Sequence, residues 1–159
     1  MKRIVLDTNC LLMSLPQHSP YRDVWTRFLL GEFELCISNE ILEEYQEILA
    51  QKTTPSIASN VVSIMLNAPN ICLVTPYYRF GLISSDLDDN KFVDCAISAN
   101  AQYIVSEDRH FDVLKKCSFP KVDVIGIDLF VDLLKSETFF TNESDEPFRL
   151  NDPATSYGK

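Results

Sequence analysis

Short apolar runs alternate along the chain with longer segments in which apolar residues recur at helical spacing. We interpret five of the apolar runs as β-strands, at residues 4–6, 33–37, 71–75, 103–105 and 122–126. The helical segments lie at residues 10–13, 21–29, 39–51, 57–66, 89–100, 111–116 and 129–134. Strands that alternate with helices at this spacing predict a three-layer α/β/α sandwich with a central five-stranded, mainly parallel, Rossmann-like sheet.

One domain is expected over residues 1–136. The chain has 159 residues and is 46% hydrophobic, which is enough for one core without disulfides or a structural metal. Residues 137–159 are rich in polar residues but also contain four large apolar side chains: Phe139, Phe140, Phe148 and Leu150. A disordered tail and a tail docked on another surface both fit this composition.

Composition also narrows the class of protein. No apolar run approaches the ~20 residues that cross a bilayer, and Asp7 interrupts the first run too early for a signal peptide, so we expect a soluble, cytoplasmic protein without a membrane partner.

The five cysteines show no C-x-x-C spacing and are interpreted as buried thiols. His18 and His110 are far apart, so carboxylate oxygens are the main candidate metal ligands.

The net charge of −9 counts against nucleic acid as a partner, because affinity for phosphates depends on basic surface. It does not exclude nucleic acid, since a bridging Mg²⁺ or Mn²⁺ ion can bring phosphate to a site made of acids.

Two aspartates follow predicted strands. Asp7 comes after the first strand and Asp108 just after the fourth. The carboxyl ends of parallel strands meet at one edge of the sheet, so the two carboxylates are expected to be close, although each also suits a helix N-cap. Carboxylates gathered in this way repel one another unless a cation or a shared proton compensates them.

Helix geometry separates two glutamates of the third predicted helix. Ile41, Tyr45 and Ile48 mark its apolar face, and Glu44 borders that face whereas Glu43 points into solvent. Glu44 is therefore the candidate for a site at the sheet edge.

The acids around the next helix are harder to rank. Asp94 lies on a polar stripe with Lys91 and Ser98, and a solvated stripe explains this position as well as a site does. Asp89 is a helix cap that can also reach a metal, and Asp86 is equally explained as a loop residue.

These residues resemble the PIN domain, a metal-dependent ribonuclease fold found in many bacterial toxin–antitoxin toxins. The matching pieces are Ile-Val-Leu-Asp7-Thr-Asn, Ile-Ser-Asn-Glu-Ile-Leu-Glu-Glu44-Tyr and the stretch from Asp89 to Asp108. The resemblance covers most of residues 3–126, and the order and spacing of the three pieces together are specific.

The resemblance implies a set of site residues. Asp7, Glu44, Asp94 and Asp108 correspond to the catalytic and metal-binding acids, which would hold one or two Mg²⁺ or Mn²⁺ ions. Asn9, Asp89 and Ser106 correspond to supporting polar groups. His110 stands where another acid is common in the family, so the chain departs from the family pattern at the second metal position.

The resemblance also implies an endoribonuclease that is the toxin of a toxin–antitoxin pair, with RNA as substrate, an antitoxin protein as partner and a homodimer as its assembly. Lys91, Arg109 and Arg79 are candidate RNA contacts, and Tyr77, Tyr78 and Phe80 are candidate base-stacking residues. Ordinary surface positions explain the three basic residues equally well, and packing against the sheet edge or a second subunit explains the three aromatic residues equally well.

Three alternatives remain. An aspartyl-phosphate phosphatase also begins with a strand and Asp-x-Asp, but Asn9 replaces its second acid, which is the general acid. A phosphate-accepting receiver domain would need adjacent acids and a later lysine that the chain does not clearly offer. A catalytically silent PIN-like module that binds protein or RNA is the third, although four repelling carboxylates serve no purpose in a binding module.

Overall fold

The computed structural model describes residues 1–136, so the expectations for residues 137–159 lie outside the described residues. Its centre is one five-stranded sheet in which every neighbouring pair of strands is parallel. The strands are β1 (Arg3–Leu6), β2 (Glu34–Ile37), β3 (Ile71–Leu73), β4 (Tyr103–Val105) and β5 (Val124–Ile125), and their order is β3-β2-β1-β4-β5. The predicted α/β fold class is confirmed.

The helices lie between the strands in sequence, as the apolar pattern predicts. They are α1 (Thr8–Ser14), α2 (Arg22–Leu29), α3 (Asn39–Lys52), α4 (Pro55–Asn67), α5 (Asn90–Ala99) and α6 (residues 127–136). Two 3-10 helices, Leu87–Asp89 and Arg109–Lys116, flank α5 and β4. Side-chain caps fix two of the helix starts, because Ser38 Oγ accepts the Ile41 N–H and Thr54 Oγ1 accepts the Ile57 N–H.

The core lies on both sides of the sheet. Ile4, Val5 and Leu6 of β1 are all buried, as expected for a central parallel strand that is covered on both faces. Phe33, at the start of β2, packs edge-on against Phe130 of α6 with ring centroids 5.2 Å apart. All five cysteines are free, and Cys10, Cys36 and Cys95 are buried as predicted, whereas Cys72 and Cys117 are only half-buried.

The strand order creates a crevice beside β1. From β1 the chain adds β2 and β3 on one side and then crosses to place β4 on the other side. In open α/β sheets, ligands bind beyond the carboxyl ends of the strands at such a reversal of order. The ends of β1 and β4 are therefore the place to look for a site.

Within residues 1–136, none of the helices has the length and apolar character that a membrane span requires.

Candidate metal centre

Asp7 is the buried carboxylate at the end of β1, and only 7% of its surface is exposed. Its Oδ2 accepts the Ser106 hydroxyl at 2.6 Å, and its Oδ1 accepts the Asn9 N–H at 3.2 Å. Burial raises the pKa of Asp7, the two hydrogen bonds oppose this shift, and the charges of Asp108 and Glu44 reinforce it. Asp7 is thus both the cap of α1 and an acid held in a fixed orientation.

Ser106 ties the ends of β4 and β1 together. Its Oγ donates to Asp7 and accepts the N–H of Asp108 at 3.0 Å. The Asp108 carboxylate in turn accepts the His110 N–H at 2.9 Å and so caps the following 3-10 helix. As with Asp7, the capping role and the site role coincide in one residue.

Three carboxylates surround one ring nitrogen of His110. Its Nδ1 lies 3.0 Å from Asp89 Oδ2, 3.2 Å from Asp108 Oδ1 and 3.7 Å from Asp86 Oδ2. Burial raises the pKa of Asp89 to about 6 despite the hydrogen bond from His110, and Asp86, Asp108 and Asp7 add to the rise. The hydrogen bond to Asp89 raises the pKa of His110, against the opposing effect of burial. Burial is the main cause of the Asp89 shift and the hydrogen bond to Asp89 is the main cause of the His110 shift, while the neighbouring carboxylates add to both.

The cluster fits a divalent cation. Ligand atoms of Asp86, Asp89 and His110 lie within 4.8 Å of one another, and donors on opposite sides of an ion such as Mg²⁺ lie roughly 4 Å apart. The charges of Asp7 and Asp108 reach Asp89, so the acids after β1 and β4 belong to the same group. Asp86, Asp89 and His110 therefore offer ligand atoms close enough for one ion, and the charges of Asp7 and Asp108 act on the same place.

Glu44 lies beside this cluster but is already engaged. It is half-buried, whereas Glu43 is exposed, so α3 is oriented as its apolar periodicity predicts. Its Oε1 lies 2.7 Å from Lys91 Nζ, and its Oε2 accepts the hydroxyl of Thr8.

The Asp94 carboxylate contacts the loop before α5. Asp94 is 2% exposed, and its Oδ1 accepts the backbone N–H of Phe80 at 3.1 Å. Burial raises its pKa, the hydrogen bond from Phe80 lowers it, and the charges that act on it are those of Arg79 and Glu40. The described contacts therefore support neither the predicted role of Asp94 as a metal ligand nor the solvated alternative.

The candidate RNA contacts have different surroundings. Lys91 is 9% exposed and ion-paired, so it is not a surface cation. Arg79 is exposed and pairs with Glu40 at 2.5 Å, and Arg109 is exposed. The side chain of Asn9 is exposed, and its contact with Asp7 is made by the backbone N–H.

Asp89 and His110 lie at the centre of the cluster, whereas the sequence indicated a supporting role for Asp89 and no metal-binding role for His110. Asp89 and Asp94 are five residues apart, which is about 500° on an α-helix, so the two side chains point in directions about 140° apart. Only one of the two side chains can therefore face the ends of β1 and β4. The sequence does not show which one does, because a long loop precedes α5. The signal for His110 was its position two residues after Asp108.

The profile of a family described as PIN domain matches residues 3–110. None of the curated proteins matches significantly.

Two solved structures are similar in fold. One is a chain of DNA-bound VapBC from Salmonella typhimurium, with 19% identity and a TM-score of 0.55, covering 80% of this chain and 99% of that chain. The other is a chain of VapBC2 from Rickettsia felis bound to a fragment of its promoter DNA, with 17% identity and a TM-score of 0.54, covering 78% of this chain and 98% of that chain.

Proposed function

Because this chain belongs to the PIN-domain family, we propose that it is a Mg²⁺- or Mn²⁺-dependent endoribonuclease and the toxin of a toxin–antitoxin pair. The observation that supports this proposal best is the group of carboxylates around His110 at the ends of β1 and β4. The reversal of strand order beside β1 supports a ligand site at this edge of the sheet, because open α/β sheets bind ligands at such reversals.

Asp7, Asp89 and Asp108 are the proposed main metal ligands, with Asp86 and His110 completing the set. A bound divalent cation lowers the pKa of water and neutralises charge on a phosphodiester during in-line attack. In this proposal, Asp89 has the metal-binding role that the resemblance assigned to Asp94.

The chain's own residues hold this arrangement in place. Ser106 orients Asp7 and, through the Asp108 N–H, also fixes the start of the turn that carries Asp108 and His110. The burial of Asp7 limits its contact with water and strengthens its interaction with a cation. No side chain is required as a covalent nucleophile.

The loop before α5 is the proposed binding surface for RNA bases. Tyr77 and Tyr78 are 89% and 74% exposed, and the rings of Tyr78 and Phe80 lie 6.3 Å apart. Exposed aromatic rings stack on bases, at about 1–3 kcal/mol per base. Asp94 positions this loop by accepting the Phe80 N–H, and Arg109 is the proposed phosphate contact.

The partners are also part of the proposal. The two similar structures are chains of VapBC complexes bound to DNA, which supports an antitoxin protein as partner for this chain. A homodimer and a location in the cytoplasm follow from the same functional class.

Cleavage of a fluorescent single-stranded RNA by the purified protein tests the activity. We expect cleavage with Mn²⁺, none with EDTA, and a loss of about 100-fold or more in Asp7→Asn. Single-stranded DNA of the same sequence is the substrate control. RNA binding without cleavage by the wild-type protein in Mn²⁺ would contradict the proposed activity and favour a binding module.

A further inference from the structure

Lys91 carries a nearly buried ammonium group next to the proposed metal centre. Its Nζ lies 2.7 Å from Glu44 Oε1 and 3.1 Å from Asp88 Oδ1. It lines a pocket of about 270 Å³, and the other lining residues are all acids: Glu40, Glu43, Glu44, Glu47 and Asp88. Lys91 is the one basic residue among those that line this pocket, and Arg79 pairs with Glu40 from outside the lining.

Both carboxylate oxygens of Glu44 have partners. Oε1 pairs with Lys91, and Oε2 accepts the hydroxyl of Thr8, the residue that follows Asp7. The hydrogen bond from Thr8 is compatible with a metal ion on the same carboxylate, as are the hydrogen bonds to Asp7. The difference at Glu44 is Lys91, whose ammonium already supplies the positive charge beside this carboxylate.

The junction between the 3-10 helix Leu87–Asp89 and α5 divides the acids into two groups. Asp89 and Lys91 are two residues apart, which places their side chains about 200° apart around a helix. Asp89 accordingly lies with His110, whereas Lys91 points to Glu44 on α3. Lys91 Nζ also lies 5.6 Å from the centre of the Phe92 ring, so the ammonium is held on a second side.

We propose that Lys91 takes the place of a second divalent cation, so that the protein binds one metal ion and Glu44 serves as the partner of Lys91. This inference rests on the proposed metal-binding function. A divalent ion on Glu44 would lie within a few ångströms of a desolvated ammonium, and the repulsion between the two cations opposes its binding.

Calorimetric titration with Mn²⁺ tests this inference by its stoichiometry. We expect one ion in the wild-type protein, one in Glu44→Gln, and two in Lys91→Met, because Lys91→Met leaves Glu44 without its cation. The double variant Lys91→Met/Glu44→Gln lacks both charges and is expected to return to one ion. Circular dichroism establishes that each variant is folded.

Two ions in the wild-type protein, or one ion in folded Lys91→Met, would overturn the inference. If Lys91→Met does not fold, the Mn²⁺ affinity of Glu44→Gln is the deciding measurement. An affinity within about threefold of the wild type supports the inference. A loss of about tenfold or more overturns it, because losses of about 10-fold to 100-fold are typical even of residues that only support a metal ligand. A wild-type protein that binds no Mn²⁺ would instead contradict the proposed function, so the two failures are distinguishable.

Discussion

At the residue scale, Asp94 shows how a buried acid can serve the structure. It is almost fully buried on α5 and holds the backbone of Phe80 with one carboxylate oxygen. Burial raises its pKa, because the ionised form loses contact with water. The protonated form of Asp94 is therefore favoured by folding.

Replacing Asp94 with Asn is expected to change the pH dependence of stability. A carboxyl group whose pKa is raised in the folded state stabilises the fold at low pH and loses this contribution as pH rises through the folded pKa. Asn does not titrate, and its amide oxygen can still accept the Phe80 N–H. Urea unfolding should show Asp94→Asn gaining stability relative to the wild type as pH rises from about 4 to 7.

Asp132→Asn, at an exposed position of α6, is the control for a general effect of removing one negative charge. A stability difference between Asp94→Asn and the wild type that stays constant over this pH range would contradict the buried-acid account.

Local pattern was enough to place some of the candidate residues within the fold but not others. Asp7 and Asp108 follow strands, and Glu44 borders an apolar helix face, so local pattern was enough to place all three. Asp89 and His110 meet only because the loop before α5 brings Asp89 to the turn after β4. Such a contact between distant segments has no periodic signature in the sequence.

At the element scale, α3 fixes the end of β1. Tyr45 on α3 is fully buried, and its hydroxyl donates to the carbonyl of Leu6, the residue before Asp7. The same helix carries Glu44 one residue earlier. The position of Asp7 therefore depends on how α3 packs against the sheet.

Tyr45→Phe keeps the ring and removes this hydrogen bond. It leaves the buried carbonyl of Leu6 without its side-chain partner, so we expect the free energy of unfolding to fall by about 1–3 kcal/mol. Urea denaturation at pH 7 measures the change. Tyr77→Phe, at an exposed hydroxyl, is the matched control and should have no effect. Equal stability of Tyr45→Phe and the wild type would show that α3 does not depend on this contact.

The elements with strong apolar periodicity were predicted correctly, and the short ones were placed less well. The fifth strand was predicted over residues 122–126 but is only Val124–Ile125, although the ladder begins one residue earlier where Ile104 N–H donates to the carbonyl of Asp123. The segment predicted as a helix at 111–116 forms a 3-10 helix that begins at Arg109. In elements of one or two turns, the caps and neighbouring strands decide the bounds, and apolar pattern contributes little.

At the scale of the whole molecule, the strand order concentrates negative charge at one edge of the sheet. The chain carries a net charge of −9, and the acids after β1, before α5 and after β4 meet in one cluster. Without a cation this arrangement costs stability, because like charges repel at short distance. A metal that binds only the folded state should recover that stability.

Addition of Mn²⁺ is therefore expected to raise the melting temperature. At a free concentration of about 100 times Kd, binding contributes about 2.7 kcal/mol, which corresponds to about 5–10 °C for a chain of this size. Differential scanning calorimetry with and without EDTA measures the shift. Asp7→Asn should lose most of it, and an equal shift in wild type and Asp7→Asn would show that the ion binds elsewhere.

The central claim is that Asp7, Asp89 and Asp108 form a divalent-cation site, and Mn²⁺ titration of Asp89→Asn beside Asp94→Asn tests it most directly. Both variants lose one carboxylate from the same segment of chain. The account predicts that Asp89→Asn weakens Mn²⁺ affinity by about 10-fold to 100-fold, whereas Asp94→Asn stays within about threefold of the wild type. Loss of affinity in Asp94→Asn with retention in Asp89→Asn would contradict the account.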